Sequence, residues 1–340
     1  MKRVHQILEE ACGTQFTAAV ARIEHRGRVI FERAYGVTRA DDLGRPVFAD
    51  TRFDLASLTK LFIATLALQF VAQRRLELDG SLAAFLPEWR DYPQSKVTLR
   101  MLLAHTSGMN SGADYRTIAN ENVTAFALRS SFVAAPGERV IYSDLGFIAL
   151  GAVLERASGR SLAALVADPR FPSLTFRPRK PQRLQIPATE EDGWRGRVQG
   201  FVHDEKAYLM GGVAGHAGLF GTAADVAALT ESYLGPLHAR DRALLPGKLV
   251  REAIGEQAGD PILRRGLGWA LKTSDGNSCG RKMSGSSFGH TGFVGTCVWA
   301  DSVRDLQGVL LTNAVYFGRD EDMRDLRAAF YEAMVDAVEC

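Results

Sequence analysis

Ser57-Leu58-Thr59-Lys60 sets a hydroxyl and an amine three positions apart, and no other lysine of the chain follows a serine at that distance. On a helix, residues i and i+3 share a face, so the amine can sit beside the hydroxyl. A serine hydroxyl alone is a poor nucleophile. A lysine that is partly desolvated, or close to other positive charge, has a lowered pKa and can take the serine proton. Backbone N–H groups at the start of the same helix would stabilise an oxyanion on a substrate. The competing reading makes Ser57 a helix-start residue and Lys60 a surface cation. The neighbours of Lys60 argue against it, because Leu58, Leu61, Phe62 and Ile63 surround the amine with apolar side chains, where it needs a buried reason to exist.

Two further segments carry chemistry-bearing residues. Tyr142-Ser143-Asp144 is the one Y-x-[N/D] triplet of the chain, in a turn after Pro136-Gly137 and before a helix starting at Leu145. Taken alone, Asp144 serves equally as an N-cap and Tyr142 as a core aromatic. Gly289-His290-Thr291-Gly292 is read as opening a strand-like run from Phe293 to Trp299, and its glycines would let backbone approach a ligand closely.

In this order the three elements resemble the signature of penicillin-recognising serine enzymes: S-x-x-K, a tyrosine-containing second motif, and K-T-G. The version here looks most like the class C β-lactamases and their relatives, the D-Ala-D-Ala carboxypeptidases and β-lactamase-fold esterases. Leu102-Leu103-Ala104-His105-Thr106-Ser107-Gly108-Met109, Gly268-Trp269 and the stretch Gly211 to Phe220 also look like that family, and the resemblance spans residues 16 to 336. It implies Ser57 as the acylated nucleophile, Lys60 as base or hydrogen-bond partner, and Tyr142 as the proton shuttle. It further implies an oxyanion hole from the backbone N–H groups of Ser57 and Phe293, substrate contacts from Asp144, His290, Thr291 and Gly292, and two-step acyl transfer without a metal or organic cofactor.

The chain departs from the family pattern twice. Asp144 stands where the family has asparagine; an ionised aspartate accepts hydrogen bonds but donates none. His290 stands where the family has lysine, and an imidazole of ordinary pKa near 6.5 is mostly neutral at pH 7. Both changes weaken the hold on a β-lactam. The expected substrate is therefore an ester, small amide or peptide whose scissile bond lies beside no obligatory carboxylate. The alternatives are a β-lactamase or D-Ala-D-Ala carboxypeptidase proper, and a non-catalytic ligand-binding homologue that uses Asp144 and His290 to sense its ligand.

The elements that must position these groups can be read from periodicity. A short helix is expected over 3 to 12, a hairpin over 16 to 24 and 28 to 35, and a helix apolar on every face over 55 to 72. Helices follow at about 98 to 104, 122 to 130, 145 to 157 and 222 to 234. Strands return at 268 to 272, 292 to 300 and 306 to 312, before an amphipathic closing helix near 321 to 337. Strands at both chain ends with helices between them predict an α/β (α+β) fold of β-lactamase/transpeptidase type: an antiparallel sheet built from both chain ends, flanked by helices, with an inserted mostly helical lobe. The expected division is one catalytic domain over 1–340, with an α/β lobe from 1–56 and 235–340 and a helical lobe from 57–234.

Composition narrows the function further. The 340 residues carry 41 Lys and Arg against 39 Asp and Glu, a net charge of +2, and no basic stripe interleaved with aromatics, which argues against nucleic acid as a partner. Leu61 to Ala72, the most apolar stretch, is too short to span a bilayer. Cys12, Cys279, Cys297 and Cys340 are scattered without a C-x-x-C pair, and the first ten residues interrupt any apolar run with His5, Gln6, Glu9 and Glu10, so a cytoplasmic location is expected. Nothing in the pattern signals an oligomeric state. Gly285-Ser286-Ser287-Phe288-Gly289 imitates a nucleophile elbow but lacks the strand-turn-helix context and the Ser, Asp, His order. Lys272-Thr273-Ser274, ahead of Asp275-Gly276-Asn277, is expected in a surface hairpin turn. His105, His203, Asp204 and His216 show no helical metal-ligand spacing and are expected to be hydrogen-bonded loop residues, with no metal bound.

Overall fold

A computed structural model describes residues 1–260, 262–274, 277–319 and 322–339. The chain opens with α1 (Lys2–Ala11) and the hairpin β1 (Ala18–His25) and β2 (Arg28–Gly36), followed by β3 (Phe53–Asp54). The middle of the chain holds α2 (Thr59–Ala72), α3 (Leu99–Leu103), α4 (Val123–Arg129), α5 (Asp144–Ser158) and α6 (Leu162–Leu165). It continues through β4 (Thr175–Phe176), β5 (Glu191–Asp192), β6 (Gly196–Arg197), α7 (Glu205–Leu209), β7 (Leu219–Gly221), α8 (Ala223–Leu234) and α9 (Gly247–Ala253). The last part returns to strands β8 (Ala270–Leu271), β9 (Phe288–Thr291), β10 (Cys297–Asp301) and β11 (Leu306–Thr312), and closes on α10 (Arg324–Glu339).

Six strands form one antiparallel sheet in the order β2-β1-β11-β10-β9-β8, so the two chain ends meet at β1 and β11, with Ala19 opposite Thr312 and His25 opposite Leu306. Both faces of its centre are covered, which explains why β11 is buried along its whole length. Strand alternation sorts the side chains: Ala19, Ala21, Ile23, Cys297, Trp299 and Leu310 join the core under α1 and α10. Val20, Val298, Ala300, Val309 and Leu311 face the larger core built with α2, α5 and α8. Helix α2 is buried on nearly every face, as its apolar run requires.

Three expectations are corrected. The run from 292 to 300 is not one strand: β9 ends at Thr291, residues 292 to 296 turn, and β10 begins at Cys297. The turn closes because the Gly292 N–H donates to Thr296 O at 2.7 Å, in a space where a Cβ on Gly292 would lie 2.1 Å from Thr296 Oγ1. Lys272 is buried rather than set in a surface turn, with its ammonium donating to the carbonyls of Arg281 (2.7 Å) and Met283. Asp275 and Gly276, expected in that turn, Glu321, expected to start the last helix, and Cys340 lie outside the described residues. The N-cap of α5 is Ser143, whose Oγ accepts from the Gly146 N–H at 2.9 Å, not Asp144; this leaves the Asp144 carboxylate free for other partners.

Candidate active site

Ser57 sits on a 3-10 turn (Ala56–Leu58) that leads into α2, and its hydroxyl caps neither element. The backbone just before it is strained, with Ala56 at φ +45°, and is held by Asp54. That buried carboxylate accepts the Ala56 N–H at 2.8 Å and the His203 N–H at 2.7 Å. Burial pushes the Asp54 pKa up to about 6 despite these two bonds.

One turn on, Lys60 is completely buried and its Nζ touches three oxygens: Ser57 Oγ at 2.9 Å, His216 O at 3.0 Å and Asp144 Oδ1 at 2.9 Å. Three ammonium protons therefore meet three acceptors. The His216 carbonyl reaches Lys60 because its neighbour Gly215 lies against α5, where a Cβ would stand 2.0 Å from Phe147 O. A lysine beside a nucleophilic serine is expected to be pulled down by burial or by positive charge. Burial does pull Lys60 down, but the Asp144 charge and then Tyr142 outweigh it and hold the ammonium above its ordinary value.

Asp144 is the hub of a charge network. Its second oxygen lies 3.4 Å from Lys206 Nζ, which is 3.3 Å from Asp204 Oδ2, and Asp204 Oδ1 is 2.8 Å from His216 Nε2. Burial alone would raise the Asp144 carboxyl; Lys60 above all, with His216 and Lys206, carries it below the usual range. Asp144, Asp204 and His216 also present oxygens and a nitrogen within 4.8 Å of one another, a spacing that fits a metal ion. The ammoniums of Lys60 and Lys206 already neutralise those carboxylates, so a divalent cation there would meet two positive charges.

Tyr142 faces the amine, with Lys60 Nζ 5.0 Å from its ring centroid. Its ring packs on His105 at 4.5 Å and approaches His290 at 6.0 Å. His105 accepts the Ser143 N–H on Nδ1 at 3.0 Å, tying the second motif to the end of α3, and burial first, then Arg265, Lys60 and His290, keep its imidazole neutral. His290 lies in β9 one residue before its end, buried, with Nδ1 donating to Thr291 O at 2.7 Å and Nε2 without a partner among the described residues. Burial, Arg265 and Lys60 push its pKa down to about 3, so it contributes no charge. Ser57, Tyr142, His290, Thr291, Gly292 and Phe293 line one cavity of about 690 Å³. A second cavity of about 600 Å³, around Arg45, Phe48, Arg52 and Gln185, contains none of them.

The whole of this architecture has counterparts. Residues 4–332 match the Beta-lactamase family. The chain belongs to the β-lactamase family. It is a hydrolase of that family, similar to N-acetylmuramyl-L-alanine amidase of Bacillus subtilis (strain 168), with 29% identity over 92% of this chain and 80% of the relative. Esterase EstB of Burkholderia gladioli is 29% identical over 89% of this chain and 88% of its own length. Among solved structures, EstCE1, a hydrolase with promiscuous acyltransferase activity, shares the fold with a TM-score of 0.77 at 22% identity, covering 97% of this chain and 98% of its own.

In this β-lactamase-family chain, Asp144, expected against the substrate, has its carboxylate on Lys60 and Lys206. Phe293 is expected to offer its N–H; its side chain is exposed at the tip of the β9–β10 turn, stacked on His203 at 5.5 Å. Ser287, in the imitation nucleophile elbow, is fully buried at the start of β9. Asp54, Lys206 and Arg265 were not legible as site residues. Each is an ordinary charged residue in sequence, and their significance comes only from what surrounds them. Among the described residues no helix is long and apolar enough to cross a membrane.

Proposed function

We propose that this enzyme hydrolyses esters or small amides through an acyl-enzyme on Ser57. The observation that carries the reading is the 2.9 Å contact between Ser57 Oγ and the fully buried Lys60 Nζ at the wall of a cavity that also receives Tyr142. Lys60, held as an ammonium, donates to Oγ and stabilises the negative charge that grows there as the serine proton leaves. Tyr142 relays that proton: its phenol gives a proton to the departing oxygen or nitrogen while accepting the one from Oγ, and so begins and ends neutral. The Oγ–carbon bond forms as the bond to the leaving group breaks. Water then attacks the acyl carbon, its proton returns through Tyr142 to Ser57, and the acid is released.

Asp144 acts in this scheme by fixing Lys60 in its charged form rather than by binding substrate. The N–H groups of Ser57 and Phe293 have no hydrogen-bond partner among the described residues, which suits them to an oxyanion. Relatives named as an amidase and as an esterase support the breadth of the substrate class. The test is intact-mass detection of an acyl or phosphonyl adduct after exposure to an activated ester, to penicillin and to a fluorophosphonate. An adduct on wild type that is absent from Ser57→Ala is the expected result. Full-rate turnover of 4-nitrophenyl acetate by Ser57→Ala removes the proposal, and faster hydrolysis of a chromogenic cephalosporin than of the ester reassigns the substrate.

A further inference from the structure

The N–H groups suited to an oxyanion belong to two segments far apart in the chain, the turn that carries Ser57 and the β9–β10 turn that carries Phe293. An oxyanion is held only if both donors point at one spot, so the spacing of the two turns has to be fixed from outside either of them. The turns touch directly. Thr296 Oγ1 donates to Leu55 O at 3.3 Å, and a Cβ on Gly292 would lie 2.9 Å from that carbonyl oxygen and 3.3 Å from Ala56 Cβ. Ala56, Val294 and Val315 close into a small apolar cluster of their own.

Asp54 completes the tie. Ala56, at φ +45°, sits in the left-handed region that an L side chain rarely adopts, and such a residue persists only where its surroundings over-determine it. One oxygen of the buried Asp54 carboxylate, Oδ1, accepts the Ala56 N–H at 2.8 Å, and the other, Oδ2, accepts the His203 N–H at 2.7 Å. Among the described residues the carboxylate has no ion pair, so the fold keeps a buried charge whose hydrogen-bond partners are these two N–H groups. The second of them leads to the other turn. The His203 ring is buried and stacks on Phe293 with centroids 5.5 Å apart and planes 30° apart, and neither ring nitrogen has a hydrogen-bond partner among the described residues. Packing therefore sets its place. Arg319, anchored by Glu190 and Glu205, also borders Phe293, with Cζ 5.8 Å from the ring centroid.

We infer that Asp54 is a positioning residue for the oxyanion hole: its two carboxylate oxygens tie the strained turn before Ser57 to the segment whose His203 ring supports Phe293, and so fix where the two N–H groups converge. This rests on the Ser57 reading and adds to it a residue that touches no substrate. Asparagine has the shape of aspartate but one acceptor oxygen, and it turns an N–H2 group toward one of the two donors. Asp54→Asn therefore loosens one end of the tie, and Asp54→Ala releases both.

The experiment measures kcat and KM for 4-nitrophenyl acetate, together with the inhibition constant of 2,2,2-trifluoroacetophenone. Ser57 Oγ adds reversibly to the carbonyl carbon of this ketone, the carbonyl electron pair moves onto its oxygen in the hole, and the serine proton leaves through Tyr142, so the adduct imitates the transition state. In Asp54→Asn kcat is expected to fall by about tenfold to a hundredfold with KM within about twofold, and the inhibition constant to rise by a similar factor. Asp54→Ala should lose more of both. His203→Ala keeps the N–H bonded to Asp54 but takes the ring from Phe293, and the same joint change in kcat and inhibition constant is expected. A merely structural carboxylate would lower the urea midpoint and leave both quantities per folded molecule at their wild-type values. That result in Asp54→Asn or in His203→Ala overturns the inference, as does a loss confined to KM. The serine reading fails separately, when Ser57→Ala still turns over 4-nitrophenyl acetate at full rate.

Discussion

The two walls of the cavity beside Ser57 are built on different electrostatic plans. On the wall formed by α2, α5 and α7, every charge is answered: Lys60 has Ser57, His216 and Asp144, Lys206 bridges Asp144 and Asp204, and Asp204 holds His216. On the wall formed by β9 and the segment before β8, Arg264 is paired with Glu256, but among the described residues His290 is neutral with an unpartnered Nε2 and Arg265 has no ion pair. The difference is one of pre-organisation: the groups around Lys60 are held by permanent partners, whereas His290 and Arg265 keep hydrogen-bonding capacity that a bound molecule can use.

The sharpest way to break the comparison is to remove the proposed nucleophile, Ser57, from the satisfied wall. Ser57→Ala is expected to lower kcat for 4-nitrophenyl acetate by about a thousandfold or more and to abolish fluorophosphonate labelling. Lys60→Met keeps the volume and deletes the ammonium; kcat should fall by about a hundredfold or more. It also leaves Asp144 with Lys206 alone, so urea denaturation should show a loss of about 3 kcal/mol.

Acid probes the neutral imidazoles around the cavity. His290 and His203 have pKa values pushed down to about 3 and about 4, mainly by burial, and His105 lies well below its ordinary value. The unfolded chain binds protons on these groups near 6.5, so their contribution is complete above that pH and is lost as pH falls toward the folded values. Asp54 works in the opposite sense, since its pKa of about 6 makes the folded state bind a proton more readily than the unfolded chain does, and offsets one imidazole. The net expectation is a loss of about 2 to 3 kcal/mol between pH 7.5 and 5.5, read from urea midpoints. Equal stability at both values would mean that the imidazoles are solvated.

The smallest effect belongs to Asp144→Asn, which restores the residue the family signature carries. Shape is kept, but Lys60 loses the charge that chiefly holds it protonated, so its pKa should drop as burial is opposed by Tyr142 without Asp144. The alkaline limb of the kcat/KM profile should move to lower pH, with a fall in kcat of about tenfold at neutral pH. An unshifted limb would show that Asp144 does not govern the amine.

Much of the frame was legible because it follows from short-range pattern. The apolar run around Lys60 announced a buried amine, and the alternation in β1 and β11 announced a sheet closed by the two chain ends. The third motif is expected to open a strand over 292 to 300 and instead closes β9, because the close contacts of Gly292 force a turn inside that run. Lys272 looked like a surface turn residue from its polar neighbours, yet two carbonyls hold it inside.

What the sequence determined by itself is the meeting of Ser57 with Lys60, since a three-residue helical spacing brings the hydroxyl beside the amine. What only tertiary structure decided is their state. Asp144 lies 84 positions from Lys60 and Arg265 lies 123 positions from Tyr142, so no local pattern records either pairing. A charge is governed by the partners and the burial that folding brings to it, and these are properties of the packed chain rather than of any segment.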